Sequence, residues 1–70
     1  MQGVVKVYDP ETGIGVIVRE DDRSEVYVRP GAIDGSMFRM LRQGQRVVFD
    51  FREDDDGPHA ANVRFGSDGF

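Results

Sequence analysis

Residues 12–19, with the sequence TGIGVIVR, decide the fold of this chain. Small and β-branched residues run here without a charge until Arg19, which predicts a β-strand over Ile14–Arg19. Because successive side chains of a strand point to opposite faces, one face carries Ile14, Val16 and Val18 and the other carries Gly15 and Ile17. Both rows are apolar, so one of them is expected to stay exposed when the other enters a core.

The same stretch has the spacing of a strand that binds nucleic acid. In that pattern a basic residue is followed by Gly, an aromatic, Gly or Ala, an aromatic and an aliphatic residue. Gly13, Gly15 and Ile17 occupy the small and aliphatic positions. Thr12 stands at the basic position, and both aromatic positions hold aliphatic residues. The pattern therefore predicts a binding strand that lacks its rings.

Four further strands are predicted around this one, over residues 2–8, 25–29, 45–52 and 59–65. The connections are a turn at 9–13, a charged loop at 20–24, a short helical turn at 29–33, a long segment at 34–44 and an acidic turn at 53–58. No helix of globular length is predicted. Five short strands with a long excursion between the third and fourth indicate an all-β domain, a five-stranded antiparallel Greek-key barrel.

Simple alternation assigns the faces of the other strands. It places Val5 and Val7 on one face of the first strand, and Val4, Lys6 and Tyr8 on the opposite face. In the third strand it turns Val26 and Val28 inward and Tyr27 and Arg29 outward. In the fourth strand it puts Val47, Phe49 and Phe51 on one face.

Length, composition and charge narrow the functional classes. Seventy residues without cysteine suit one domain, expected over 1–65 with a flexible tail at 66–70. Neither a signal sequence nor an apolar run long enough for a membrane span is recognised, so a cytoplasmic protein without membrane contact is expected. The net charge is −4, whereas most nucleic-acid-binding proteins carry a basic surface patch. A locally basic patch can still bind nucleic acid in a protein whose net charge is negative. Weak, salt-sensitive binding would follow.

Several segments together resemble the cold-shock domain family, in the family's order from Met1 to about Arg64. They are QGVVKVYDPETGIGVI (2–17), VYVRPGAI (26–33), LRQGQRVVFDF (41–51) and GPHAANV (57–63). The resemblance implies a barrel of the oligonucleotide-binding (OB) type. It also implies binding of single-stranded RNA or DNA, as an RNA chaperone or a regulator of gene expression. The inward residues of such a barrel would be Val5, Ile17, Val26, Val28, Ile33, Val47 and Val63.

The family's binding platform lies on strands one to three and the loops that follow. The candidate nucleic-acid-binding residues of this chain are Lys6, Tyr8, Ile14, Val16, Tyr27, Arg29, Phe38 and His59. Val7 stands where the family usually has Trp, and Asp9 and Asp56 stand where it is neutral or basic. Since stacking a base on a ring contributes roughly 1–3 kcal/mol, weakened or altered binding is expected.

Other interpretations of these residues remain open. Tyr27 fits an ordinary half-exposed strand position, Phe38 fits packing within its loop, and Arg29 fits an ion pair with a nearby carboxylate. The aliphatic face around Ile14 and Val16, with Val7 and Pro30, also suits a homodimer or a protein partner. In a variant of that idea, the tail at 66–70 folds over the face.

Catalysis, metal binding and cofactor binding are not predicted. No nucleophile, base and orienting group can be assembled, so an enzyme is not expected. His59 is the single histidine and there is no cysteine, which leaves too few ligands for a zinc site. The acidic run Asp54, Asp55, Asp56 lacks the spaced ligands and the closing Glu of a calcium loop, and it is interpreted as a turn.

Overall fold

The computed structural model describes residues 1–33 and 41–65. Within these ranges the chain forms five β-strands: β1 (Gln2–Asp9), β2 (Ile14–Arg19), β3 (Glu25–Val28), β4 (Arg46–Asp54) and β5 (Gly57–Phe65). The predicted bounds of β2 are confirmed at both ends. The acidic turn is shorter than predicted, because β4 and β5 extend toward each other and leave only Asp55 and Asp56 between them. Phe38, most of the long connection and the tail at 66–70 lie outside the described residues.

The strands close into a barrel in the order β1-β2-β3-β5-β4. Four of its seams are antiparallel, and the seam between β3 and β5 is parallel, with Tyr27 opposite His59 and Val28 opposite Ala60. The predicted all-β Greek-key barrel is confirmed. Its description as antiparallel needs one correction, because an odd number of strands in a closed ring cannot alternate in direction at every seam.

The barrel encloses one apolar core. Its buried members are Val5, Ile17, Val26, Val28, Leu41, Val47, Phe49, Ala60 and Val63. The predicted inward residues are all among them except Ile33, which is half-buried and packs against the core. Phe51, at the open end of the same face as Phe49, is 38% exposed and lies under the Arg19 guanidinium, 4.9 Å from its ring centre. Across residues 1–33 and 41–65, no helix has the length and apolar character that crossing a bilayer requires.

A β-bulge at Lys6 changes the faces of β1. Val5 lies opposite Ile17 and Val7 lies opposite Val16, so Lys6 is an extra residue on β1. A bulge of this kind reverses the alternation of every residue after it. The prediction that Val5 and Val7 share a face is therefore wrong: Val5 is buried, whereas Val7 is 53% exposed. Tyr8 is turned the opposite way and packs against the core.

The segment after β3 is a tight turn and not the predicted helical turn. The Ala32 amide donates to the Arg29 carbonyl oxygen at 3.0 Å, and Gly31 has φ of +84°. Proline followed by a glycine with positive φ is the sequence of a type II turn. Ile33 then forms a parallel bridge with Val63, so the chain returns to the sheet at once instead of continuing into a helix.

Candidate nucleic-acid interface

One row of outward side chains crosses all five strands of the barrel. Following the register from β1 through β2, β3 and β5 to β4, the row consists of Val7, Val16, Tyr27, His59 and Arg52. With strands about 4.8 Å apart, this outer row is roughly 19 Å long. Tyr27 stands at its centre with 56% of its surface exposed. Its ring is available for contact with a flat partner.

An aliphatic patch adjoins one end of the outer row. It consists of Val7, Ile14, Val16 and Pro30. Ile14 is two residues before Val16 on β2, on the same face, and is 51% exposed. Gly13 has φ of +79° and lies so close to Pro30 that a Cβ added to it would be 3.2 Å from the Pro30 Cα. The turn before β2 and the turn after β3 therefore meet at this edge, and the exposed row predicted for β2 is the one containing Ile14.

His59 connects Tyr27 to the β4–β5 hairpin. Its side chain is only 12% exposed, and its Nδ1 lies 3.2 Å from the Gly57 carbonyl oxygen and 3.9 Å from Asp54 Oδ2. These contacts hold the imidazole beside Tyr27, and little of its own surface is exposed to solvent.

Lys6 is held by an acidic neighbour on β3. Its Nζ lies 2.5 Å from Glu25 Oε2, and both side chains are about half exposed. The hydrogen bond and the charge of Glu25 raise the pKa of Lys6 above its ordinary value. Lys6, the extra residue of β1, thus reaches across β2 to a partner on β3.

Arg29 is held by the β4–β5 hairpin. Its two terminal nitrogens each donate to one oxygen of Asp54 at 3.1 Å, and Asp56 Oδ2 lies 3.9 Å away. The hydrogen bonds with Asp54 raise the pKa of Arg29, and the same bonds lower the pKa of the Asp54 carboxyl. The ion pair that was one interpretation of Arg29 in the sequence is present.

The structure separates the candidate residues into groups. Val16, Tyr27 and His59 share the outer row, Ile14 adjoins it, and Lys6 and Arg29 flank Tyr27 in ion pairs. Tyr8 is opposite Gly15, where a Cβ would lie 2.9 Å from its Cδ1, so its ring lies over the glycine and toward the core.

Two members of the outer row, Val7 and Arg52, were not among the predicted binding residues. Val7 was predicted only as a member of the alternative aliphatic face, because alternation puts it on the same face as Val5 and the bulge has no clear sequence signature. Arg52 could have been found from the sequence, because a two-residue turn at Asp55 and Asp56 pairs Asp54 with Gly57 and Arg52 with His59. In the described part of the chain, no three His, Cys, Asp or Glu side chains are grouped so as to hold a metal ion.

A closed five-stranded barrel of this topology belongs to the OB-type class of folds. The sequence profile of the "Cold-shock" DNA-binding domain matches residues 1–65, and the chain belongs to this family. The family consists of nucleic-acid-binding proteins that are not enzymes.

Curated proteins agree with this assignment. A "Cold shock-like protein" of Aquifex aeolicus is 43% identical over 63 residues, which is 90% of either chain. "Cold shock-like protein CspC" of Bacillus cereus is 44% identical over 90% of this chain and 95% of its own length. "Probable cold shock protein A" of Mycolicibacterium smegmatis is 41% identical over 90% of this chain and 94% of its own.

Proposed function

We propose that this protein binds single-stranded RNA or DNA across the outer row, with a base stacked on Tyr27. The observation that carries the proposal is the position of Tyr27, a residue that is 56% exposed between Val16 and His59. Single-strand binding without strict sequence preference uses such stacking, since every base has a flat face. The unpaired bases of a single strand can reach the ring, whereas those of a duplex are already stacked.

The affinity we expect is low. Each stacked base contributes roughly 1–3 kcal/mol, and the neighbours of Tyr27 on β1 and β2 are aliphatic. Val7 and Val16 exclude water beside a base but have no ring to stack on it. We place the protein in the cytoplasm, as an RNA chaperone or a regulator of gene expression with weakened or altered binding.

Removing the ring of Tyr27 tests this proposal. We expect Tyr27→Ala to weaken binding of a labelled single-stranded oligonucleotide about tenfold or more, the equivalent of one lost stack. Tyr27→Phe keeps the ring and should bind within about twofold of the unmodified protein. Fluorescence anisotropy at low salt, with pyrimidine-rich and purine-rich strands, measures both variants.

The outcome that contradicts the proposal is a Tyr27→Ala variant that is folded and binds as tightly as Tyr27→Phe. Absence of binding by the unmodified protein up to high micromolar concentration contradicts it as well. Circular dichroism of each variant separates a lost contact from a lost fold, and Tyr27 is exposed enough that its truncation leaves the core intact.

A second function is favoured by the aliphatic patch. Val7 and Ile14 are both more than half exposed, and apolar side chains grouped in this way often mark contacts between proteins. In this alternative two copies associate through the patch, or a protein partner covers it. Light scattering coupled to size exclusion tests the homodimer: the alternative expects a dimer that dissociates on Ile14→Asp, and a strict monomer that binds oligonucleotide counts against it.

A further inference from the structure

The two predicted cations beside Tyr27 are each paired with a carboxylate of the same molecule. Lys6 contacts Glu25, and Arg29 contacts Asp54. The second pair has the stronger geometry, because both terminal nitrogens of the guanidinium face both oxygens of the carboxylate at 3.1 Å. A paired guanidinium of this kind presents fewer free donors to an incoming phosphate.

The β4–β5 hairpin fixes Asp54 in this position. Asp54 is the last residue of β4, opposite Gly57, and its Oδ1 also accepts the Asp56 amide at 2.9 Å. The hairpin turn therefore orients the carboxylate before any ligand is present. Arg29 lies just beyond the end of β3, two residues after Tyr27 and on the same outward side.

We propose that Asp54 is an internal competitor of nucleic-acid phosphate for Arg29, and that it sets the affinity and the salt dependence of the outer row. This inference rests on the function proposed above. A carboxylate and a phosphate both accept two parallel hydrogen bonds from a guanidinium, so they compete for the same donors. A strand that reaches Arg29 must displace Asp54, which then faces the phosphate as a like charge.

The exchange has a measurable consequence in salt. Each phosphate neutralised on a single strand steepens the fall of log affinity with log salt by about 0.7. While Arg29 stays paired with Asp54 it neutralises no phosphate, so it contributes little to the slope of log affinity against log salt. Without the carboxylate, Arg29 is free to neutralise a phosphate, so binding at low salt should tighten and the slope should steepen by about this amount.

Asp54→Asn and Asp55→Asn form a matched pair of variants. Both remove one negative charge from the same hairpin. Asparagine at 54 keeps an oxygen that accepts the Asp56 amide, so the turn is preserved. Asp55 is exposed and has no ion pair or hydrogen bond with other residues of 1–33 and 41–65. Its substitution therefore reports the effect of net charge alone.

At low salt we expect Asp54→Asn to bind a labelled single-stranded oligonucleotide about three- to fivefold more tightly than the unmodified protein. The affinity of Asp55→Asn should differ from that of the unmodified protein by less than about twofold. Repeating the titration across a salt series should show the steeper slope for Asp54→Asn only. In the Arg29→Gln background the effect of Asp54→Asn should disappear, since the guanidinium for which the anions compete is absent.

Equal affinities and slopes for Asp54→Asn and Asp55→Asn would overturn the inference while leaving single-strand binding in place. Weaker binding by a folded Asp54→Asn would overturn it too, as would an equal gain in the Arg29→Gln background. Absence of binding by every variant, Asp54→Asn included, is a different result, because it rejects the proposed function together with the competition.

Discussion

Asn62 occupies a backbone conformation that few side chains adopt. Its φ is +53°, and it is the extra residue of a second bulge, where two residues of β5 face Phe49 of β4. Asparagine tolerates this left-handed region better than most residues, because its short polar side chain can bond locally. Here Asn62 Nδ2 donates to Asp50 Oδ2 at 2.8 Å. Asn62 thus adopts the left-handed conformation of the bulge and also donates a hydrogen bond from β5 to β4.

Substitution of Asn62 separates these two contributions. Asn62→Ala loses the side-chain bond and places a Cβ in the left-handed region, so we expect about 2 kcal/mol less free energy of unfolding. Asn62→Gly loses the bond but not the backbone freedom, and should cost about 1 kcal/mol. Urea denaturation at neutral pH measures both. An alanine variant at least as stable as the glycine variant would contradict the role assigned to the bulge, since glycine ordinarily weakens a strand.

At the scale of the strands, the sequence predicts what depends on regular alternation. β2 alternates without interruption, and both its bounds and its faces follow from the residues. β1 contains the same kinds of residue, but the extra Lys6 reverses every side chain after it. Such a bulge is fixed by the partner strand and by closure of the barrel, so alternation along β1 could not give the outward position of Val7 or the inward position of Tyr8. Only the family resemblance placed Val7 on the exposed face.

The candidate site shows the same division between local and long-range information. Tyr27 was predicted to face outward because it alternates with two buried valines within one short strand. Its neighbour His59 comes from β5, through a parallel seam that closure of the ring requires. The ion pair between Arg29 and Asp54 depends on the length of the β4–β5 hairpin. The predicted turn over 53–58 was too long, so the strands of the hairpin were predicted too short. In a strand without a bulge, such as β3, a residue's face is therefore local information, whereas its partner on another strand is not.

At the scale of the whole molecule, acidic residues outnumber basic ones, and several of the carboxylates form ion pairs with arginines. The chain has 13 Asp and Glu against 9 Lys and Arg. Among residues 1–33 and 41–65, three carboxyl groups have a pKa below the ordinary value: hydrogen bonds lower it for Asp21 through Arg19, for Asp50 through Asn62 and for Asp54 through Arg29. These charges stabilise the folded chain locally, although the net charge of −4 opposes compaction.

The sign of these pKa shifts predicts acid sensitivity. A carboxyl whose folded pKa is depressed contributes stability above its unfolded pKa, and that stability is lost as the pH falls through the lower folded value. With an ordinary Asp pKa of 3.8, the free energy of unfolding should decline below about pH 4. Asp50→Asn should be less stable than the unmodified protein at pH 7, and the difference should shrink as the pH falls through the lowered folded pKa of Asp50, where the unmodified protein loses the charge as well. Asp55→Asn, which loses a carboxylate without a described partner, should follow the unmodified protein throughout. Urea denaturation across this pH range measures all three, and stability that rises below pH 4, or an Asp50→Asn deficit unchanged by acid, would contradict the assignment.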